Sequence, residues 1–160
     1  MSPRLTVILD NLRSSHNVGS IFRTADAIGV EHIYLCGTTP GPLDRFGRAN
    51  SRLSKVSLGA EKSIKWEHCD STMEIIEKLK KDNWQIVALE TSKEATNIVD
   101  FNVSAKQIAL TLGSEPDGIN SEVLLASDSI VTLPMHGKKS SLNVAVAFGV
   151  AAYGLHWLGR

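Results

Sequence analysis

The chain has 160 residues, a length that fits one domain whose core needs neither disulfides nor a structural metal. Its 17 Lys and Arg cancel its 17 Asp and Glu. This excludes a protein that holds nucleic acid by overall positive charge, so any such contact must come from local patches. The cysteines Cys36 and Cys69 form neither a CxxC nor a metal-ligand spacing; they read as packing residues. With no signal peptide, they predict a reducing, cytoplasmic setting and no bound metal.

The apolar run Leu5 to Leu9 predicts a strand that ends in the polar loop Asp10 to His16. A helix follows from about Asn17 to Ile28, stopped by Gly29, with Ile21, Ala25 and Ile28 on one face and Arg23 turned from the core. Glu31 to Leu35 predicts a second strand. Gly37 to Lys55 reads as a long loop that carries Arg45, Arg48, Arg52 and Lys55 against the single acid Asp44. Loops longer than about 12 to 15 residues are usually functional or disordered. This one is a candidate binding element, with a solvated charged face as the alternative.

Beyond it, Ile64 to Glu67 predicts a strand, Ser71 to Lys81 an amphipathic helix with Met73, Ile76 and Leu79 inward, and Trp84 to Leu89 a strand. Gln107 to Leu112 is another strand, Ser121 to Ala126 a helix and Ser129 to Leu133 the last strand. The alternation predicts an α/β fold with a mainly parallel sheet covered by helices on both faces. There is no internal repeat or linker, so 1–160 reads as a single domain.

The last helix, about Leu142 to Trp157, is apolar on nearly every side. A membrane span is the rival reading. The stretch is slightly short, Asn143 and His156 would be costly in lipid, and no cluster of Lys or Arg follows beyond Arg160. One side is therefore expected on the chain's own sheet and the other on a second subunit.

Three polar loops, the second and third containing glycine, each follow a strand: Asn11 to Asn17, Gly113 to Gly118, and Met135 to Ser141. In an open parallel sheet, ligands bind outside the carboxyl ends of the strands, so the loops can line one crevice. Each has a purely structural account when taken alone. Asn17 can cap a helix, Arg23 can pair with Asp26, Pro116-Asp117-Gly118 suits a type I turn, and Ser141 and Asn143 can cap the last helix. Their joint occurrence in one strand-loop-helix context favours a site. No GxGxxG or phosphate-loop pattern follows a strand, which weighs against a doubly wound nucleotide-binding enzyme.

The segments Asn17-Val18-Gly19-Ser20-Ile21-Phe22-Arg23-Thr24-Ala25-Asp26, Leu112-Gly113-Ser114-Glu115-Pro116-Asp117-Gly118-Ile119, and Leu133-Pro134-Met135-His136-Gly137 with Ser141-Leu142-Asn143-Val144 resemble, in order, the three motifs of the SpoU/TrmH family. These are SPOUT-class RNA ribose 2'-O-methyltransferases. The resemblance implies a C-terminal trefoil knot, a homodimer with its active site at the subunit interface, and S-adenosylmethionine as cofactor. Topology rules alone predict an unknotted sheet instead.

Position by position, the resemblance makes Arg23 the catalytic arginine, accompanied by Asn17, Glu115, Ser141 and Asn143. It places cofactor contacts on Leu89, Gly113, Leu133, Met135, Ser141 and Leu142. Family accounts make the arginine a base, but a guanidinium, a donor with no acceptor site, suits stabilisation of an alkoxide or grip on a phosphate better. The long RNA-binding extensions of several family members are missing. Target contacts are therefore expected from Arg13, Arg45, Arg48, Arg52, Lys55, Lys138 and Lys139, acting on phosphates. The expected substrate is tRNA, with rRNA or a non-enzymatic RNA-binding role as alternatives.

Overall fold

The computed structural model describes residues 1–159; Arg160, named above as the lone basic residue after the last helix, lies outside them. The strands are β1 (Arg4–Asp10), β2 (His32–Cys36), β3 (Lys65–Cys69), β4 (Gln85–Leu89), β5 (Thr96–Asn97), β6 (Gln107–Gly113) and β7 (Ser129–Thr132). They form one sheet in the order β3-β2-β1-β6-β4-β7-β5, with every pairing parallel.

Alternation along the central strands divides the core in two. Leu5, Val7 and Leu9 of β1, with Ile108, Leu110 and Leu112 of β6, pack on one face against Ile21 and Phe22 of α1 (Ser15–Ile28) and Phe148 and Leu155 of α6 (Val144–Leu158). Ile8 and Ala109 point to the opposite face, against Ile75, Ile76 and Leu79 of α4 (Thr72–Lys81) and Val123 of α5 (Ser121–Ala126). Period-2 strands that are apolar on both faces require helices on both sides. The predicted α/β architecture is thus the one observed.

The long segment from Gly37 differs from expectation. It is a loop only as far as Asn50, whose side chain caps α2 (Ser51–Ser57) by accepting from the Leu53 amide. Leu53 is fully buried, so Arg52 and Lys55 lie on a helix anchored to the core. A four-residue helix, α3 (Ala60–Ser63), occupies the stretch before β3, so that strand starts at Lys65 rather than Ile64. On α4 the inward positions are Thr72, Ile75, Ile76 and Leu79, while Met73 is only partly buried.

Two features position the site. First, β7 lies between β4 and β5, and both neighbours are in register with Val131. The connection Glu90 to Ala95 therefore crosses the carboxyl end of β7, and the Glu90 amide donates to the Val131 carbonyl at 3.0 Å. Second, α6 buries Phe148, Ala151, Ala152 and Leu155 but leaves Val146, Val150 and Trp157 at 54, 52 and 60% exposure. Among the described residues no helix is long and apolar enough to cross a membrane.

Candidate active site

The ends of β4, β6 and β7 stand side by side, and the chain leaving each contributes to one pocket. Leu89 and Glu90 come from β4 and its exit, Gly113, Ser114 and Glu115 from β6, and Leu133, Met135, Ser141 and Leu142 from the segment after β7. All six residues expected to contact cofactor line it: Leu89, Gly113, Leu133, Met135, Ser141 and Leu142. Glu115 joins them. Leu112, Val144 and Ala147 complete the apolar wall.

Glycine is required where the loop after β6 turns back on itself. A Cβ on Gly113 would collide with the backbone of Gly118 and Ile119, because the Gly118 amide donates to the Ser114 carbonyl at 2.6 Å. Gly118 itself has φ +70°, a left-handed conformation that side chains disfavour. The turn is tied down by Glu90, whose carboxylate accepts from the Ile119 amide at 2.8 Å and the Thr91 amide at 2.9 Å. Glu90 was missed by sequence reasoning. A charged residue just past a strand was the only signal, and it points to no particular partner.

A shallow groove runs beside this pocket between α1 and α6, lined by His16, Asn17, Ser20 and Thr24 on one side and Asn143, Val146 and Val150 on the other. Asn143 caps α6: its Oδ1 accepts from the Ala145 and Val146 amides at 2.9 and 3.3 Å. That fixes the amide orientation, and its Nδ2 donates to Asn17 Oδ1 at 3.0 Å. Asn17 is not itself the cap of α1. Ser14 Oγ takes that role, accepting from the Asn17 amide at 3.1 Å, so the Asn17 side chain is left for the groove. Since Ser141 lines the pocket and Asn143 the groove, the approach to α6 joins the two.

Arg23 is exposed on α1 and lines neither the pocket nor the groove. Among the described residues it has no ion-pair partner, so the Asp26 pairing considered from sequence is absent. It stands three residues beyond Ser20, on the stripe that His16 and Ser20 begin.

The expected basic contacts are scattered around these features. Arg13 reaches Asp117 at 3.1 Å and Arg48 reaches Asp44 at 2.7 Å. Arg45, Arg52, Lys55, Lys138 and Lys139 are exposed. Asn50 Nδ2 donates to Ser15 Oγ at 3.0 Å and to the Gly41 carbonyl at 3.2 Å, which holds the basic loop at the start of α1. Cys36 and Cys69 are free and face each other across β2 and β3. Burial pushes the Cys36 thiol up to about 12, as befits a packing residue.

Against this geometry the relatives are consistent. The SpoU rRNA Methylase family matches residues 4–153. The tRNA (guanosine(18)-2'-O)-methyltransferase of Aquifex aeolicus (strain VF5) is 32% identical over 153 residues, spanning 93% of this chain and 67% of that protein. An AdoMet-bound rRNA methyltransferase from Sinorhizobium meliloti superposes with a TM-score of 0.86 at 25% identity, over 97% of this chain and 56% of the other. A structure concerned with 2-OH methylation of C/U34 on tRNA gives a TM-score of 0.81 at 26% identity, over 98% and 96%. The chain spans 57 to 67% of the length of curated relatives it matches. With the second and third motifs lining one pocket beyond β6 and β7, the first on α1 beside it, and the family matching residues 4–153, the chain belongs to the SpoU rRNA Methylase family.

Proposed function

We propose that the chain is an S-adenosylmethionine-dependent methyltransferase that acts on a ribose 2'-hydroxyl of RNA, with tRNA as its substrate. The observation that carries this reading is the convergence of Leu89, Gly113, Leu133, Met135, Ser141 and Leu142 on one pocket beside the Asn17–Asn143 pair. The residues fit the cofactor. Leucine and methionine walls with a few backbone groups suit an adenine ring, and the Glu90 and Glu115 carboxylates at the pocket suit a ligand with cationic groups. When bound, the cofactor supplies an electrophilic methyl group.

The chain's own residues do the rest. A ribose hydroxyl is a weak acid, so the site must orient it, leave its proton a path to solvent water through the open groove, and stabilise the negative charge that develops on its oxygen. Asn143, fixed by its cap, fixes Asn17, whose Nδ2 is left to donate to substrate. Arg23 serves as the cation for the alkoxide or an adjacent phosphate.

Because Arg23 lines neither the pocket nor the groove, the reading includes a homodimer in which a second copy brings its Arg23 to the pocket. The exposed apolar stripe Val146, Val150 and Trp157 on α6 supports that contact. A trefoil knot is part of the same reading, supported by the Glu90 to Ala95 crossing over β7 and the return of the chain through Met135 to Ser141 into α6. Residues 1–160 act as one methyltransferase domain, at work in the cytoplasm where its two thiols stay reduced.

An rRNA substrate is the second reading, favoured by the Sinorhizobium relative, which is an rRNA methyltransferase. Labelled cofactor incubated with bulk tRNA and with rRNA, followed by mapping of the modified nucleotide, tests both. Label on a ribose of tRNA is expected. Label on a base, or on neither RNA, overturns the assignment.

A further inference from the structure

The loop between β2 and α2 carries an aromatic residue that the fold does not use. Phe46 is 66% exposed, at the tip of a turn that is built rather than slack. Leu43 and Ala49 close it as an antiparallel bridge. Within it, the Asp44 carboxylate accepts from the Phe46 amide at 2.8 Å, the Arg48 amide at 2.9 Å and Arg48 Nε at 2.7 Å. Gly47, at φ +76°, permits the reversal. These amide donors hold the Asp44 carboxyl below the usual carboxylate range.

Two cations border the ring. The Arg45 and Arg48 guanidinium carbons lie 4.7 and 5.0 Å from its centroid. Their tethers differ. Arg48 is locked by Asp44, whereas Arg45 has no ion-pair partner among the described residues. At its C-terminal end the turn runs into Asn50, which bonds Ser15 two residues before Asn17. Apart from these two cation contacts the ring is left to water, and it is absent from both hydrophobic clusters of the core.

We infer that Phe46 is a stacking platform for an unpaired nucleobase of the RNA that the site methylates. The inference rests on the RNA-methyltransferase reading above. In the complex the base takes the place of the Arg45 guanidinium over the ring, and Arg45 swings to a backbone phosphate, while Arg48 stays fixed and braces the ring edge. Aromatic residues interleaved with arginines are the chemistry by which proteins hold single-stranded nucleic acid with little sequence preference. The tether through Asn50 to Ser15 sets the platform close to the groove. A base stacked there would orient the strand whose ribose enters the site.

The test compares two fluorescently labelled RNA hairpins of identical stem, one with an unpaired loop and one with the loop bases removed to leave abasic sugars. Binding is read by anisotropy at fixed salt. The full-length protein is expected to prefer the base-bearing loop. Phe46→Ala, at an exposed position that leaves the fold intact, should bind that loop roughly 5- to 150-fold more weakly and bind the abasic hairpin unchanged. Phe46→Trp should keep the preference, and Arg45→Ala should reduce the salt slope by about one ion.

Retention of the preference by Phe46→Ala, or its absence in the unmodified protein, overturns the platform. So does a change in molar mass of Phe46→Ala by light scattering, which would make the loop a protein interface. The enzymatic reading fails separately, if the unmodified protein does not bind S-adenosylmethionine; the hairpin comparison does not depend on that outcome.

Discussion

Asn143 and Asn17, 126 positions apart, are joined by one hydrogen bond of 3.0 Å from Nδ2 to Oδ1. The bond exists because Asn143 does two jobs with one amide: its oxygen closes the first turn of α6 and its nitrogen aims Asn17 into the groove. Asn143→Asp separates them. A carboxylate still caps the helix, favourably placed against its positive end, but has no proton to offer Asn17. Thermal stability should be retained while methyl transfer drops. Asn143→Ala should lose both, with about 0.5 to 2 kcal/mol of stability from the missing cap. Denaturation curves beside single-turnover rates check the split.

Gly113 ends β6 and Gly137 lies in the loop after β7, and both segments border the same pocket, yet the two glycines should respond oppositely to alanine. At Gly113 the added carbon runs into the Gly118 backbone, whereas at Gly137 nothing lies within 4 Å. Gly113→Ala should displace the turn that Glu90 holds and weaken cofactor binding by at least tenfold, the effect of about 1.4 kcal/mol of misfit. Gly137→Ala should bind as the parent does. Calorimetric titration with S-adenosylmethionine reads both.

The two faces of α6 separate folding from assembly. Phe148 is fully buried and Val150 is 52% exposed. A charge at Phe148 strands an ion in the core and should prevent folding. Val150→Glu should leave circular dichroism unchanged and convert a dimer to monomers by light scattering, with activity lost in proportion. An active, unaltered dimer would remove this face from the interface.

The buried thiol of Cys36 predicts a pH effect. Its pKa is pushed up to about 12 by burial, whereas an unfolded thiol titrates near 8.5. Between those values the unfolded chain gives up a proton that the folded chain keeps, so stability falls as pH rises. The loss approaches about 1.4 kcal/mol per pH unit and ends near the folded value. Below about 8.5 the contribution is flat. Comparing denaturation of Cys69→Ala with that of Cys36→Ala/Cys69→Ala from pH 8 upward isolates it, since the neighbouring thiol that Cys36 perturbs is removed from both; equal slopes would contradict it.

The layered sheet was legible because two periods carry it. Strands such as Val7-Ile8-Leu9 feed apolar side chains to both faces, and the α4 stripe repeats at helical spacing. Strand order was not legible. The short apolar runs of β4 and β7 resemble one another, and nothing in either says that β7 inserts beside β4 ahead of β5. Two-residue β5 and four-residue α3 are too brief for any period to register. In the site, the glycines and loop positions were legible through motifs, but Glu90 was not, because its partners are backbone amides 1 and 29 residues away. The basic stretch from Gly37 hid a capped helix, since Asn50 looks like any other loop asparagine until Leu53 is seen to be buried.

In the proposed reaction one site binds the cofactor through its pocket and acts on ribose through Arg23. The most direct measurement pairs cofactor titration with labelled-methyl transfer to bulk tRNA for the parent, Arg23→Ala and Arg23→Lys. Equal cofactor affinity is expected in all three, with transfer to a ribose by the parent alone and no rescue by lysine, whose compact ammonium lacks the planar fork of a guanidinium. Loss of cofactor affinity in Arg23→Ala, or transfer undiminished by its removal, would contradict it.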